Sequence, residues 1–249
     1  KNPQQIAGIY PNDRGELIDI NRLPFPEDDD VSRIDYHEPN CRYKQIQMYG
    51  SRGCPRRCNF CAAATLYYDE LNWRPRNVDD VVKEIQILHE KYPEMEGVFF
   101  DEEVHNIKKS FNISLAKAIR QAGLQDLKYE AMCEYASLDE EAMEEMREAG
   151  YYKIRFGIET GSDRVAEKMT LGKKHDLKKL KSMVEYGKSI GMLFYGTISI
   201  GGLGSDKDED QKTVDLVYDL AAKGWLDEIQ VSINTPQPGT DFYDSCVEE

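Results

Sequence analysis

The sequence predicts an α/β fold, specifically a partial (β/α)6 barrel of the TIM type that follows an N-terminal linker segment. Segments with strand character alternate six times with segments of helical spacing, which indicates a parallel sheet with right-handed crossovers. The 249 residues are 40% hydrophobic and 31% charged, which suits one barrel-sized domain with a substantial core. A flat, doubly wound sheet would show the same alternation, so the faces of the strands must decide between the two folds.

The strand faces favour the barrel. In strand four, Arg155 and Glu159 alternate with apolar residues, and in strand six Ile229, Val231 and Ile233 alternate with polar ones. Parallel strands covered by helices on both faces are apolar on both sides. We therefore expect the apolar side chains to pack on helices and the polar ones to line an incomplete barrel. A sheet with one face in water is the alternative.

Residues 1–44 are predicted to form the linker, and residues 45–249 the barrel. Residues 6–10 suit a short strand, and residues 12–15 carry turn residues. Residues 23–30 form an acidic run that is extended, because a residue before proline avoids the helical region. The chain begins with lysine, and we expect it to be the core of a longer protein.

The six strands share short apolar or alternating patterns bounded by polar residues. They are predicted at residues 45–50, 97–101, 127–133, 151–159, 192–200 and 228–234. The intervening helices show apolar residues at helical spacing. They are predicted at residues 78–88, 110–121, 138–149, 176–190 and 209–223, with a last helix after residue 240.

Capping residues mark several helix ends. Asn77 is a predicted N-cap, and residues 137–140, Ser-Leu-Asp-Glu, form a capping box with Ser137 as the cap. Gly123 and Gly150 are expected just past the ends of two helices. Thr240 is predicted to cap the last helix.

Three cysteines follow the first strand within eight residues. Cys54, Cys58 and Cys61 have the spacing C-x3-C-x2-C. Thiolates are ligands for zinc or iron–sulfur clusters, and three on one loop can each bind a different iron of a cubane. The fourth iron would then lack a protein ligand and offer an open site for chemistry.

A zinc site or a disulfide framework is the alternative to a cluster at these cysteines. A structural zinc site would take its fourth ligand from Cys41, Cys133, Cys246 or one of the four histidines, but no second C-x2-C pair exists. A disulfide framework is typical of small secreted domains, whereas this chain has 249 residues with further cysteines outside the loop, and we expect no secretory signal. Both alternatives are therefore less favoured than the cluster.

The stretch from Met48 to Cys61 resembles the signature loop of the radical S-adenosylmethionine (SAM) superfamily, with the aromatic Phe60 directly before the last cysteine. The resemblance implies a 4Fe–4S cluster whose open iron is chelated by the amine and carboxylate of SAM. An electron then cleaves SAM to methionine and a 5′-deoxyadenosyl radical, which abstracts a substrate hydrogen. The cofactors carry this chemistry and the protein positions them.

The resemblance also implies contacts to SAM at the carboxyl ends of strands. Asp101 and Glu102 stand where the family has a Gly-Gly-Glu element, and either could accept a hydrogen bond from the ammonium group; a solvated acidic loop is the alternative. Glu159, in a segment similar to Gly-x-Glu-Ser-Gly, is assigned to the ribose. Ser162 is either a further contact or a helix N-cap.

Further candidates complete this set. Ile200 and Gly201 end the fifth strand, which resembles the family's adenine-contacting element, and the backbone of Phe60 is the second implied adenine contact. Arg155 forms either a buried ion pair or a contact to the ligand carboxylate. His105 is a candidate proton relay.

The linker, residues 74–76 and residues 234–239 most resemble the cobalamin-associated branch of the superfamily, with cobalamin held by a domain outside this chain. The expected function is a methyltransferase or cyclase acting on a small molecule or peptide, with flavodoxin or ferredoxin as reductant. A methylthiotransferase, or a non-catalytic iron–sulfur or zinc module, is the alternative.

The composition limits the partners and the compartment. The net charge of −14 argues against nucleic acid as a partner, since binding it requires a basic face. No apolar run approaches the length of a membrane span. Free cysteines and an oxygen-sensitive cluster suggest the reducing cytoplasm of an anaerobic or microaerobic cell.

Overall fold

The computed structural model describes residues 15–68, 71–169, 171 and 175–247. The strand predicted at 6–10 and the turn predicted at 12–15, except for its last residue, lie outside them. In the part of the linker that is described, two short 3₁₀ helices, Ile20–Arg22 and Arg33–Tyr36, are the regular elements.

Six parallel strands form the main sheet, and their order in the sheet is their order in the chain. They are β1 (Gln45–Met48), β4 (Gly97–Phe100), β5 (Lys128–Cys133), β6 (Tyr151–Glu159), β7 (Leu193–Ile200) and β8 (Glu228–Ile233). A doubly wound sheet would instead reverse its order at a switch point. The partial (β/α)6 barrel is therefore confirmed. A small antiparallel pair, β2 (Ser51–Arg52) with β3 (Arg74–Pro75), flanks the cysteine loop.

Helices connect the parallel strands. They are α1 (Val78–Lys91), α2 (Lys109–Gln121), α3 (Glu140–Glu148), α4 (Asp163–Lys168), α5 (Leu177–Ser189), α6 (Lys207–Ala222) and α7 (Asp241–Val247). The predicted strands and helices agree with these bounds to within about three residues, the largest difference being at the end of α1. The short strands β2 and β3 and the helix α4 were not predicted.

The hydrophobic core lies between the sheet and these helices. Ile154 and Phe156 of β6 and Phe194 of β7 are fully buried in the same cluster as Leu180 and Val184 of α5. The opposite face of the sheet carries polar and charged side chains, as the alternation predicts.

Strand β8 departs from the prediction. Its apolar residues were expected to pack on helices, but Ile229, Val231 and Ile233 are 41%, 62% and 81% exposed. The reason is topological: β8 is an edge strand, and α7, which follows it, binds the cysteine loop instead. There the amide of Phe242 donates to the carbonyl of Asn59 at 3.0 Å.

Of the predicted caps, Ser137 is wrong, and Asn77 is the N-cap residue of α1 but forms no side-chain cap. Helix α3 is capped by Asp139, which accepts from the amide of Ala142 at 3.2 Å, whereas Ser137 lies in a 3₁₀ turn and donates to Glu134. Asn77 precedes α1, but its side chain caps no amide and donates instead to Asp80.

Thr240 does cap α7, since its Oγ1 accepts from the amide of Tyr243 at 3.2 Å. Gly123 and Gly150 follow their helices with φ of 72° and 100°, as expected for residues that end a helix in the left-handed region.

Candidate functional site

The three cysteines of the signature lie on one loop between β2 and a π-helical turn, Ala63–Tyr67. Cys54, Cys58 and Cys61 are each half-buried, and none of them is in a disulfide. The loop stands at the carboxyl end of β1, the end of a parallel barrel where ligands bind.

The three thiols are close enough to interact electrostatically. Burial raises the pKa of the Cys54 thiol to about 11, and Cys58 and Cys61 contribute further in the same direction. A metal binds the thiolate form, so cluster binding would release the proton of Cys54.

The donor set fits a three-thiolate cluster. Among the described residues, no three His, Cys, Asp or Glu side chains are gathered around the position of a single metal ion. A cubane does not require that arrangement, because each sulfur binds a different iron.

The far side of the loop is held by several elements of the barrel. Asn59 donates its backbone amide to Met169 at 3.2 Å and its side-chain amide to Lys168 at 3.3 Å. Arg56 donates its Nε to the buried Glu134, at the end of β5, at 2.9 Å. The path of the loop therefore depends on residues far away in the sequence.

The acidic triplet after β4 is not a solvated loop, and its members differ. Glu102 is buried and accepts hydrogen bonds from the amides of Gly50 and Ser51, the latter at 2.8 Å. Glu103 accepts from the amide of Gly53 at 3.2 Å and from the hydroxyl of Tyr68.

Asp101 is the remaining member of the triplet. It is half-buried, and within the described part of the chain its carboxylate forms no hydrogen bond or salt bridge. Burial raises its pKa, and the nearby Arg155 opposes this effect. A partly desolvated carboxylate without a partner is suited to a cationic ligand.

Glu159 has an unusual backbone conformation at the end of β6. Its φ is 64°, the one positive value among the described non-glycine residues. A register shift between Gly157 and Glu159 places a bulge there against β7. At a bulge, two residues of β6 lie opposite one residue of β7. The alternation of side chains between the two faces of the sheet is therefore interrupted between Arg155 and Glu159.

Ser162 forms the helix cap that the sequence allowed as its alternative role. Its hydroxyl oxygen accepts from the amide of Val165 at 3.1 Å and its proton is donated to Glu209. The residue is completely buried. The hydroxyl therefore both donates and accepts a hydrogen bond within the protein.

The three residues assigned to adenine lie on different elements. Phe60 is half-buried on the cysteine loop, Ile200 is half-buried at the end of β7, and Gly201 is exposed beyond it. Gly201 has a φ of 77°, which a residue with a side chain would rarely adopt. These contacts stay predictions.

Arg155 takes the ion-pair alternative. Its guanidinium donates to Glu130 and lies 4.4 Å from the ring centroid of Phe99 and 4.8 Å from that of Tyr195. The Lys153 ammonium is 3.1 Å from the same Glu130 carboxylate. The sequence analysis did not identify Glu130 as the partner of Arg155. The signal that could have shown it is a carboxylate between the apolar residues Tyr129 and Ala131 of the strand.

The end of the linker reaches this charged cluster. Lys153 donates to the carbonyl of Asn40 at 2.9 Å, and Arg155 contacts the sulfur of Cys41 at 3.5 Å. Burial beside Glu130 raises the pKa of Cys41 to about 12, so this thiol stays protonated at neutral pH.

His105 is not placed as a proton relay to a ligand. It is completely buried between Glu102 and Tyr151.

No helix among the described residues has both the length and the apolar character needed to cross a membrane.

The chain is similar to known proteins in sequence and in fold. Residues 48–217 match the model of the radical SAM superfamily. An uncharacterized methyltransferase of Pyrococcus horikoshii is 29% identical over 93% of this chain and 48% of its own length. Cytidylyl-2-hydroxyethylphosphonate methyltransferase of Streptomyces wedmorensis is 27% identical over 93% of this chain and 44% of its own. The chain therefore spans about half the length of these relatives.

Solved structures share the fold. The radical SAM methyltransferase TsrM of Kitasatospora setae, with cobalamin and a 4Fe–4S cluster bound, has a TM-score of 0.73 at 17% identity, covering 82% of this chain and 37% of that one. The cobalamin-dependent radical enzyme OxsB, with aqua-cobalamin and SAM bound, has a TM-score of 0.74 at 13% identity, covering 95% and 39%. Because the family model covers more than half of the chain and begins at the end of the strand that delivers the three cysteines, the chain belongs to the radical SAM superfamily.

Proposed function

We propose that this chain is the radical SAM core of a cobalamin-dependent methyltransferase. Cys54, Cys58 and Cys61 would hold a 4Fe–4S cluster, which when bound supplies the electron that cleaves SAM. The observation that carries the proposal is the set of three half-buried thiols, free of disulfides, on one loop at the carboxyl end of a parallel barrel. Two relatives that match 93% of the chain are named methyltransferases. The solved structures of TsrM and OxsB described above contain cobalamin.

The proposal assigns SAM contacts to residues around the loop. Asp101 accepts from the ammonium group, because its carboxylate is partly desolvated and lacks a partner among the described residues, whereas Glu102 is fully engaged. Glu159 contacts the ribose from its strained position at the bulge. Phe60, Ile200 and Gly201 bound the adenine.

The substrate class in this proposal is a small molecule. The Streptomyces relative is named for a small phosphonate derivative, and TsrM has been solved with tryptophan as substrate. The excess of acidic residues gives no support to a nucleic-acid substrate. A flavodoxin or ferredoxin in a reducing, oxygen-poor cytoplasm would supply electrons.

Anaerobic reconstitution with iron and sulfide tests the cluster assignment. The wild-type chain is expected to bind about four irons and to cleave SAM when reduced. Cys58→Ala should lose most of the iron and all of the cleavage, because one corner of the cubane loses its ligand. Cys246→Ala is the matched control, since Cys246 is exposed and lies outside the loop. Binding of a single zinc, or normal SAM cleavage by Cys58→Ala, would contradict the proposal.

A further inference from the structure

Two consecutive carboxylates bind the backbone of residues 50–53, the turn that leads into the cysteine loop. Oε2 of Glu102 accepts from the amides of Gly50 and Ser51, and Oε2 of Glu103 accepts from the amide of Gly53. Gly53 immediately precedes the first cysteine of the loop. Three amides of this turn are therefore held by side chains from the loop that follows β4, the strand next to β1 in the sheet.

Glu102 is itself held in place by buried neighbours. Its Oε1 lies 2.6 Å from Nδ1 of His105, and Nε2 of His105 lies 3.1 Å from the hydroxyl of Tyr151. The side chains of Glu102 and His105 are 0% exposed. The amide of His105 donates to the carbonyl of Met132 on β5 at 2.7 Å, which joins this group to the sheet. A residue fixed in this way can define the position of what it binds.

The loop has little freedom to take another path at this turn. Gly53 has a φ of 89°, and a Cβ there would collide with Asn72. On the other side, the indole of Trp73 donates to the carbonyl of Val104 at 2.9 Å. The turn therefore lies between the segment that holds Asn72 and Trp73 and the loop that contains Glu102.

From these contacts we propose that Glu102, oriented by His105, is a positioning residue that sets the path of the cysteine loop before a cluster binds, and that it does not contact SAM. A contact to the SAM ammonium would require an accessible carboxylate oxygen, and both oxygens of Glu102 are buried and bonded inside the protein. The identity of the metal group in this inference rests on the proposed function.

Two substitutions of Glu102 separate positioning from ligand binding. Glu102→Gln keeps the shape of the side chain and an oxygen that can accept from the amides of Gly50 and Ser51. Its NH₂ group can donate to Nδ1 of His105, because the neutral imidazole can carry its proton on Nε2 instead. Glu102→Ala removes the acceptors and leaves two buried amides unpaired. Asp101→Asn is the matched comparison, because Asp101 is the residue assigned to the ammonium group.

The first measurement is hydrogen–deuterium exchange of the chain without a cluster. In Glu102→Ala, amides of residues 49–61 should exchange about tenfold faster than in wild type, the factor expected for losing one to two hydrogen bonds. Exchange in α5 should stay as in wild type and report that the barrel is folded. In Glu102→Gln the loop should exchange as in wild type. If Glu102→Ala does not fold, Glu102→Asp, which withdraws the carboxylate, replaces it with the same expectation.

The second measurement compares iron content and SAM affinity after anaerobic reconstitution. Glu102→Ala should bind about half the wild-type iron or less, Glu102→Gln should match wild type in both quantities, and Asp101→Asn should bind iron normally but SAM about tenfold more weakly. Normal iron with weak SAM binding in Glu102→Gln would overturn the inference, as would unchanged exchange in Glu102→Ala. Failure of wild type to bind iron would contradict the proposed function, and the exchange experiment would still test the positioning role.

Discussion

Glu159 shows at the scale of one residue how the barrel creates local strain beside the proposed ligand site. Its φ of 64° lies in the left-handed region, which costs a residue with a Cβ about 1–2 kcal/mol. Such conformations persist where the surrounding structure fixes them, and they are concentrated at functional sites. The bulge against β7 fixes this one at the carboxyl end of β6.

Replacing Glu159 by glycine and by alanine measures this strain. Both variants lose the carboxylate, but only glycine adopts a positive φ freely, so Glu159→Gly should be more stable than Glu159→Ala by about 1 kcal/mol. Urea unfolding of the cluster-free chain gives the difference. At Lys83, an exposed position inside α1, the order should be reversed, with alanine the more stable by about 1 kcal/mol. The same order at both positions would contradict the assignment of strain to Glu159.

Helix α6 shows at the scale of an element how a cap makes stability depend on pH. Asp206 accepts from the amides of Glu209 and Asp208, both at 3.0 Å. The hydrogen bond from Glu209, and next the one from Arg164, lower the pKa of Asp206 below its ordinary value of 3.8. The charged form is thus favoured in the folded chain.

The sign of the pH dependence follows from linkage. A carboxyl with a lowered folded pKa contributes its full stability above its unfolded value and loses it as the pH falls through the folded value. Asp206→Ala should therefore melt below wild type at pH 7, and the gap should close as the pH falls below about 3.8. Thermal melts between pH 7 and pH 3 provide the comparison. A gap that widens in acid would show that Asp206 does not carry this effect.

The uncovered face of β8 is a property of the whole molecule. It depends on the position of β8 at the edge of the sheet and on the contact of α7 with the cysteine loop. Val231 is 62% exposed, although its register partner on β7, Ile198, is only 3% exposed. The two residues are similar in chemistry and adjacent in the sheet. They differ in that β7 lies inside the sheet and β8 at its edge.

This difference predicts unequal costs for a matched pair of truncations. Ile198→Ala should lower the free energy of unfolding by about 2–5 kcal/mol, since it leaves a cavity in the core. Val231→Ala should change it by less than about 0.5 kcal/mol, as expected for an exposed position. Chemical denaturation of this chain gives both values. A cost for Val231→Ala close to that for Ile198→Ala would mean that the face of β8 is packed.

Much of the fold could be predicted from the sequence because its signals are local. The alternation of strand and helix, the three cysteines with their spacing, and Thr240 as a cap each depend on residues a few positions apart. The errors at helix starts have a local cause too. Ser137 and Asp139 are both good caps, and the 3₁₀ turn that precedes α3 selects Asp139.

The sequence by itself determined the order of the elements and the loop that carries the thiols. Only the tertiary structure decided how neighbouring carboxylates divide their roles: Glu102 and Glu103 bind the cysteine loop some fifty positions earlier, whereas Asp101 keeps a carboxylate without a partner in the described part of the chain. It also decided that Arg155 pairs with Glu130 and that β8 is uncovered. The physical reason is that these outcomes depend on contacts between distant segments, which no pattern within one segment records.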